Sequence, residues 1–263
     1  MKEPDLSTAD GQKRAAGEAA TLLVEDGMTL GLGTASTAAF FVRALARRVQ
    51  AEGLSVRGVA TSRETEVLAS ELGLTLIDLD EAGEIDLTVD GVDEIDPRLV
   101  AIKGGGGALL REKLVWTASR RCVAIAHASK RVDRLGAVPL PIEVVQFGHA
   151  TTAQRLTDLT GGMELRLRME GTAALVTDEG HFIYDLVGWR GEAEQLAEVM
   201  AAVKALTGVV EHGLFNRHAH AAGLADEAVI ATATGVEHLY ATFEAPRIGE
   251  ARLQPFLPTD GEE

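Results

Sequence analysis

The segment Lys103-Gly-Gly-Gly-Gly-Ala-Leu-Leu-Arg-Glu112-Lys113 places a cation and a carboxylate on either side of four consecutive glycines. Glycine buries no side chain and loses the most backbone entropy on folding, so such a run suits a place where backbone must pass close to a ligand. Lys103 then offers a fixed positive charge, Glu112 a potential base, and Gly104, Gly105 and Gly106 an open backbone cradle. Just upstream, Asp90-Gly91-Val92-Asp93-Glu94 forms a second titratable cluster around a glycine. A third segment, Gly31-Leu-Gly33-Thr34-Ala35-Ser36-Thr37, separates a strand-like run from a helix-like one. Backbone amides at a helix N-terminus, with hydroxyls beside them, bind anions. The segment lacks the lysine and spacing of a nucleotide P-loop and the third glycine of the dinucleotide fingerprint. A tight turn with Ser36 or Thr37 as N-cap fits it equally well. Ser62, in Thr61-Ser62-Arg63-Glu64, reads as a plain N-cap.

These segments need elements to hold them. Met28–Gly33, Val56–Ala60, Leu74–Leu79, Ile85–Val89, Leu99–Ile102 and Arg121–Ala126 read as short apolar strands. Between them Ala38–Gln50, Glu64–Leu72 and Ala108–Ser119 read as helices, with Gly73 as a C-cap. Alternation of this kind predicts a doubly wound, mostly parallel sheet, and ligands of such sheets bind at the C-terminal strand ends. Asp90, Asp93, Lys103 and the Ala128-Ser129-Lys130 segment all follow predicted strands and converge at one edge. An anion cradle, a lysine and several carboxylates suit proton transfer on a sugar phosphate.

The pattern changes after Pro139-Leu-Pro141. Ile142–Phe147 reads as a strand, Thr151–Leu159 as a helix and Glu164–Met169 as a half-exposed strand. Ala174–Thr177 and His181–Val187 flank a turn at Asp178-Glu-Gly180, and Glu192–Leu206 is helical. This is the order of a smaller ferredoxin-like α+β domain. The expected division is 1–138 completed by 213–263 for the Rossmann-like domain, and 139–212 for the smaller one. Ala228–Ala231 is expected to return a strand to the first sheet, and Pro258–Glu263 to fray.

Composition bounds the partners. Of 263 residues, 46% are hydrophobic, enough for a large core, and the net charge of −15 disfavours nucleic acid or an anionic membrane. The single Cys122 lies in an apolar run and excludes an intrachain disulfide. No membrane-length apolar run and no signal-peptide pattern is present, so a cytoplasmic protein is expected. The histidines give no metal-ligand spacing: His218 and His220 do not share a helical face, and His127 reads as structural.

The ordered set Gly33–Thr37, Asp90–Glu94, Lys103–Ala108 through Arg111-Glu112-Lys113, and Ala128–Lys130 resembles ribose-5-phosphate isomerase of type A. Pro139–Pro141, Val176–Gly180 and Gly208–Phe215 extend the likeness. The resemblance implies interconversion of D-ribose 5-phosphate and D-ribulose 5-phosphate, with no metal or organic cofactor, by a homodimer or homotetramer. By motif it implies Glu112 as base and Lys13, Thr34 to Thr37, Asp90 to Asp93, Lys103 to Gly106 and Lys130 as substrate-binding residues. Lys103 would stabilise the enediolate oxygen. Asp90 would shuttle a proton in ring opening and Asp93 would position hydroxyls, or the reverse. The sequence departs from the family pattern at Ala35, where glycine is commoner, at Val92, and at Asn216–His220. An ordinary backbone region is therefore expected at Ala35. Related-fold enzymes (a deaminase, a lactonase or a coenzyme A transferase) and a sugar-phosphate sensor are the alternatives; a sensor would need a basic DNA-binding segment, and none precedes the first helix.

Overall fold

The computed structural model describes residues 3–189, 191–216 and 224–241. His218, His220 and the tail Pro258–Glu263 lie outside the described residues. After α1 (Ala9–Ala20) come β1 (Thr29–Leu32), α2 (Ala35–Glu52), β2 (Arg57–Ala60), α3 (Arg63–Glu71), the short α4 (Leu79–Ala82) and β3 (Leu87–Gly91). Two-residue strands β4 (Glu94–Ile95) and β5 (Ala101–Ile102) precede α5 (Leu109–Thr117) and β6 (Cys122–His127). The middle of the chain runs β7 (Leu140–Val144), α6 (His149–Leu159), β8 (Glu164–Leu167), β9 (Met169–Glu170), β10 (Ala173–Ala174), β11 (Phe182–Val187), α7 (Ala193–Lys204) and β12 (Val209–His212). β13 (Leu214–Phe215), β14 (Glu227–Thr232) and β15 (Gly235–Tyr240) follow.

The central sheet has the order β15-β14-β6-β3-β1-β2, parallel except for β15, which runs antiparallel to β14. Strands buried on both faces read as unbroken apolar runs, as Cys122–Ala126 does. One face packs Phe41, Leu45 and Ala16 against Leu30, Leu32 and Val89. The other packs Trp116, Phe215 and Ile230. β2 lies on one side of β1 and β3 on the other, so the winding reverses between β1 and β3. The crevice at such a switch point is where open α/β sheets bind ligands.

The second sheet has the order β12-β7-β11-β8, wholly antiparallel, with α6 and α7 between its strands in sequence. That is the β-α-β-β-α-β order of a ferredoxin-like unit. Its core is Leu140, Ile142, Val144, Leu156, Leu196 and Met200. The turn after Thr177 reaches the first unit: the Arg63 N–H at the start of α3 donates to Asp178 Oδ2 at 2.8 Å, and Arg111 on α5 pairs with Glu179.

Three expected elements differ. Leu74–Leu79 supplies only a single bridge, Gly58 to Leu76, before Leu79–Ala82 turns helical; acidic Asp78, Asp80 and Glu81 favour a helix start over a strand. Leu99–Ile102 shortens to β5 and pairs with β4 and β13 in a separate antiparallel sheet rather than joining the central one. Leu99 has φ 61°, which ends strand geometry there. Ala174–Thr177 does not pair with β11; β10 pairs with β9, and the Thr177 N–H to His181 carbonyl bond closes the turn. The expected return strand at Ala228–Ala231 is present as β14, beside β6.

Candidate active site

The switch-point crevice holds a cavity of about 180 Å³ lined by Lys13, Thr34 to Thr37, Gly91 to Asp93, Lys103 to Gly106, Glu112, His127 and Lys130. Five segments far apart in sequence thus meet in one wall, with Lys13 supplied by α1. β1 and β3 end there, β6 delivers His127 and Lys130, and Lys103 follows directly on β5.

Lys103 is the centre of the cluster, with its side chain 2% exposed. Its Nζ lies 3.0 Å from Asp90 Oδ2 and 3.0 Å from Glu112 Oε1, and it donates to the Gly91 carbonyl. The ammonium also sits 5.6 Å from the Trp116 ring centroid and 5.5 Å from that of Phe215, within cation–π range. Burial works against the Lys103 charge, but the two carboxylates hold its pKa above the ordinary value. One cation between two buried carboxylates leaves the cluster one positive charge short. Glu112 shows the consequence. Burial, then repulsion from Asp90 and Asp93, pushes its carboxyl up to about 8 against the pull of Lys103. Its second oxygen, Oε2, is buried and meets no hydrogen-bond partner among the described residues.

Asp90 differs from the expectation that it faces the ligand. It is fully buried and absent from the cavity wall. Oδ1 accepts the Thr34 N–H at 2.9 Å, and Oδ2 accepts the Trp116 indole N–H at 3.3 Å. Burial raises its pKa, opposed by Lys103 and these donors. Gly33 is the condition for this arrangement, since a Cβ there would come within 2.3 Å of Asp90 Oδ1. Asp93 does line the cavity, and its Oδ2 accepts the Gly105 N–H at 2.7 Å.

The anion cradle also departs from its reading. Thr34, not Ser36 or Thr37, is the residue before α2, and its hydroxyl makes no cap. That hydroxyl is instead drawn into a buried network, 2.6 Å from Thr61 Oγ1 and 2.9 Å from Ser62 Oγ. Ser62 also accepts from the Thr65 N–H as an N-cap, as expected. Ala35 overturns the expectation of an ordinary backbone: its φ is 71°, in the left-handed region. A side chain is strained there, and such strain collects where surrounding structure over-determines the backbone. Ser36 and Thr37 at the start of α2 face the cavity together with Lys13 and Lys130. Lys13 pairs with Asp10 at 3.0 Å, whereas Lys130 has no ion pair among the described residues.

His127, read as structural, lines the cavity. Burial and then the Lys130 and Lys13 charges lower its pKa, which favours the neutral ring beside two cations. Trp116, Phe215 and Gly213 also escaped the sequence reading. The Gly213 carbonyl accepts the Lys103 N–H at 2.9 Å, and a Cβ at Gly213 would meet the Lys103 carbonyl at 2.2 Å. The Gly208–Phe215 motif held the only signal for Gly213 and Phe215.

An open α/β sheet with an anion cradle and a carboxylate–lysine–carboxylate cluster at its switch point defines an enzyme equipped for acid–base chemistry. A family model described as ribose 5-phosphate isomerase A (phosphoriboisomerase A) matches residues 57–232. The chain is 55% identical over 235 residues to the ribose-5-phosphate isomerase A of Caulobacter sp. (strain K31), covering 88% of this chain and 99% of the relative. Among solved structures, ribose 5-phosphate isomerase from Plasmodium falciparum superposes with a TM-score of 0.83 at 32% identity, covering 89% of this chain and 100% of the other. A D-ribose-5-phosphate isomerase in complex with phospho-erythronic acid gives 0.80 at 32% identity, over 89% and 99% of the two chains. The chain belongs to the ribose 5-phosphate isomerase A family.

Proposed function

We propose that the chain interconverts D-ribose 5-phosphate and D-ribulose 5-phosphate in the pentose phosphate pathway through an enediolate, with Glu112 as the general base. The observation that carries this reading is the Glu112 carboxyl: buried at the cavity wall, pushed up to about 8, and with one oxygen that meets no partner among the described residues. A base must take a proton from carbon and return it to the adjacent carbon, so its pKa should lie near the working pH. Glu112 fits that demand, and one carboxylate reaches both C2 and C1 because they are neighbours.

Lys103 and the glycine-run amides oppose the charge that grows on the carbonyl oxygen as the proton leaves. Held by Asp90, Trp116 and Phe215, the ammonium needs no reorganisation at that moment. Ser36, Thr37, Lys130 and Lys13 receive the phosphate, since helix N-terminal amides with cations suit a dianion. Asp93, which lines the cavity, serves the ring-opening proton transfer. Asp90, sealed beneath Lys103, fixes the lysine and the Thr34 peptide. The proton-transfer role first given to Asp90 thus passes to Asp93, and Asp90 acts on the protein rather than on the substrate.

The division of the chain at 139–212, residence in the cytoplasm and assembly as a homodimer or homotetramer belong to the same reading. No helix among the described residues is long and apolar enough to cross a membrane. Sedimentation of the purified chain distinguishes the assemblies. The activity is tested with ribose 5-phosphate in heavy water: the C2 proton should exchange as the ketose appears. Release of ammonia from an amino-sugar phosphate, or no exchange at C2, would refute it.

A further inference from the structure

Arg168 belongs to the second unit, just past β8, yet its guanidinium reaches the glycine run. Nη1 donates to the Gly104 carbonyl at 2.7 Å and to the Gly105 carbonyl at 3.2 Å. Nε donates to Asp185 Oδ2 at 2.9 Å and Nη2 to Asp185 Oδ1, so Asp185 on β11 holds the other edge of the fork. Both side chains are largely buried, and the Arg168 backbone is fixed on each side by bonds to Ile183 and Leu175. The Asp185 pair and the Ile183 bond lie within the second sheet, whereas the bonds to Gly104 and Gly105 reach out of it to the glycine run.

We propose that Arg168, locked by Asp185, is a positioning residue that sets the peptide planes of the glycine run for catalysis; the inference rests on the isomerase reading of that run. A trans peptide is planar, with its C=O and N–H pointing in opposite directions. Fixing the Gly104 carbonyl on Arg168 turns the Gly105 N–H away, and that N–H is found on Asp93 at 2.7 Å. Fixing the Gly105 carbonyl turns the Gly106 N–H away in the same manner. Gly106 lines the cavity, and its N–H has no protein acceptor among the described residues. It is thus presented to a substrate oxygen. The Gly104 carbonyl also accepts the Gly107 N–H at 3.0 Å, so Arg168 anchors a turn that four glycines would leave free to wander. The guanidinium polarises both peptides and makes their N–H groups better donors. Its charge is neutralised by Asp185, so the clamp aims donors without adding net charge beside Lys103. Only a planar fork can bind two carbonyls on one side and a carboxylate on the other, so lysine is not an equivalent.

The test compares wild type, Arg168→Met, Arg168→Lys and Asp185→Asn. Misplacement of the donors should lower kcat for ribose 5-phosphate by about 10- to 100-fold in Arg168→Met, with Arg168→Lys recovering only part of it. Phospho-erythronic acid, the ligand in one solved relative, carries a carboxylate that calls on the same donors and should bind at least about tenfold more weakly. Inorganic phosphate, which needs only the α2 end, should bind as in wild type. Amide exchange at Gly105 and Gly107, whose N–H groups are held by Asp93 and by the Gly104 carbonyl, should accelerate, a readout that does not depend on turnover. If Arg168→Met unfolds, Arg168→Lys and Asp185→Asn carry the same comparison. Unchanged kcat per folded molecule, or equal weakening of both ligands, overturns the inference while leaving the isomerase reading intact. A wild type that neither turns over ribose 5-phosphate nor exchanges its C2 proton overturns that reading instead, and the amide exchange then decides the clamp on its own.

Discussion

Replacing Glu112 by glutamine keeps the side-chain volume and the acceptor facing Lys103, and removes the base. With a carboxyl near pH 8, about one free molecule in ten carries the ionised form at pH 7. In the wild type kcat/KM should therefore climb about tenfold per pH unit below neutrality and bend near pH 8. Glu112→Gln should lower kcat by roughly 10²–10⁴-fold, the usual worth of a general base, and should flatten that limb. C2 proton exchange should fall in parallel, because abstraction itself is blocked. Stability gives an independent sign. The folded carboxyl lies above its ordinary value of 4.5, so its contribution to stability is fully present below about pH 4.5 and is lost as pH rises towards 8. Glutamine has no proton to lose. The melting temperature of the variant relative to wild type should thus increase between pH 5 and 8, as measured by calorimetry at a series of pH values. A variant with kcat within a few-fold of wild type and an unchanged pH profile would show that Glu112 is not the base. A melting difference that is flat with pH would show that its carboxyl is not strained by burial.

Lys103→Met leaves Asp90 and Glu112 buried together with no cation, so denaturant titration at pH 8 should show a loss of about 3–5 kcal/mol, shrinking as pH falls because burial raises both carboxyls and favours their neutral forms. Lys130→Ala should raise KM for ribose 5-phosphate far more than for unphosphorylated ribose; equal effects would remove Lys130 from the phosphate site. Ala35→Gly should stabilise the protein by about 0.5–1 kcal/mol in urea titration, because the left-handed φ of 71° suits glycine; a loss of stability would mean that the Ala35 backbone is not strained.

The sequence by itself determined the alternation that builds the central sheet, most of the strand–helix succession of the second unit but not its closing strand β12, and the glycines, lysine and carboxylates that supply the chemistry. These are local properties: apolar periodicity, turn residues and residue type are legible without knowing what lies across the molecule. It placed Lys103 and Glu112 correctly as neighbours because they flank one loop. Tertiary structure alone decided which groups touch. Asp90 and Asp93 share one short motif, yet one is sealed under Lys103 and the other faces the cavity, because successive side chains leaving a strand end point in different directions. Only the pairing of β5 with β13 and the packing of α5 bring Phe215 and Trp116 around the Lys103 ammonium. The raised Glu112 carboxyl is likewise a product of burial and of counting charges in space, one cation against two carboxylates, which no spacing along the chain can express. Ala35 makes the same point for the backbone: a side chain expected to forbid a left-handed φ occupies one, held there by a buried network of Thr34, Thr61 and Ser62 drawn from two strand ends.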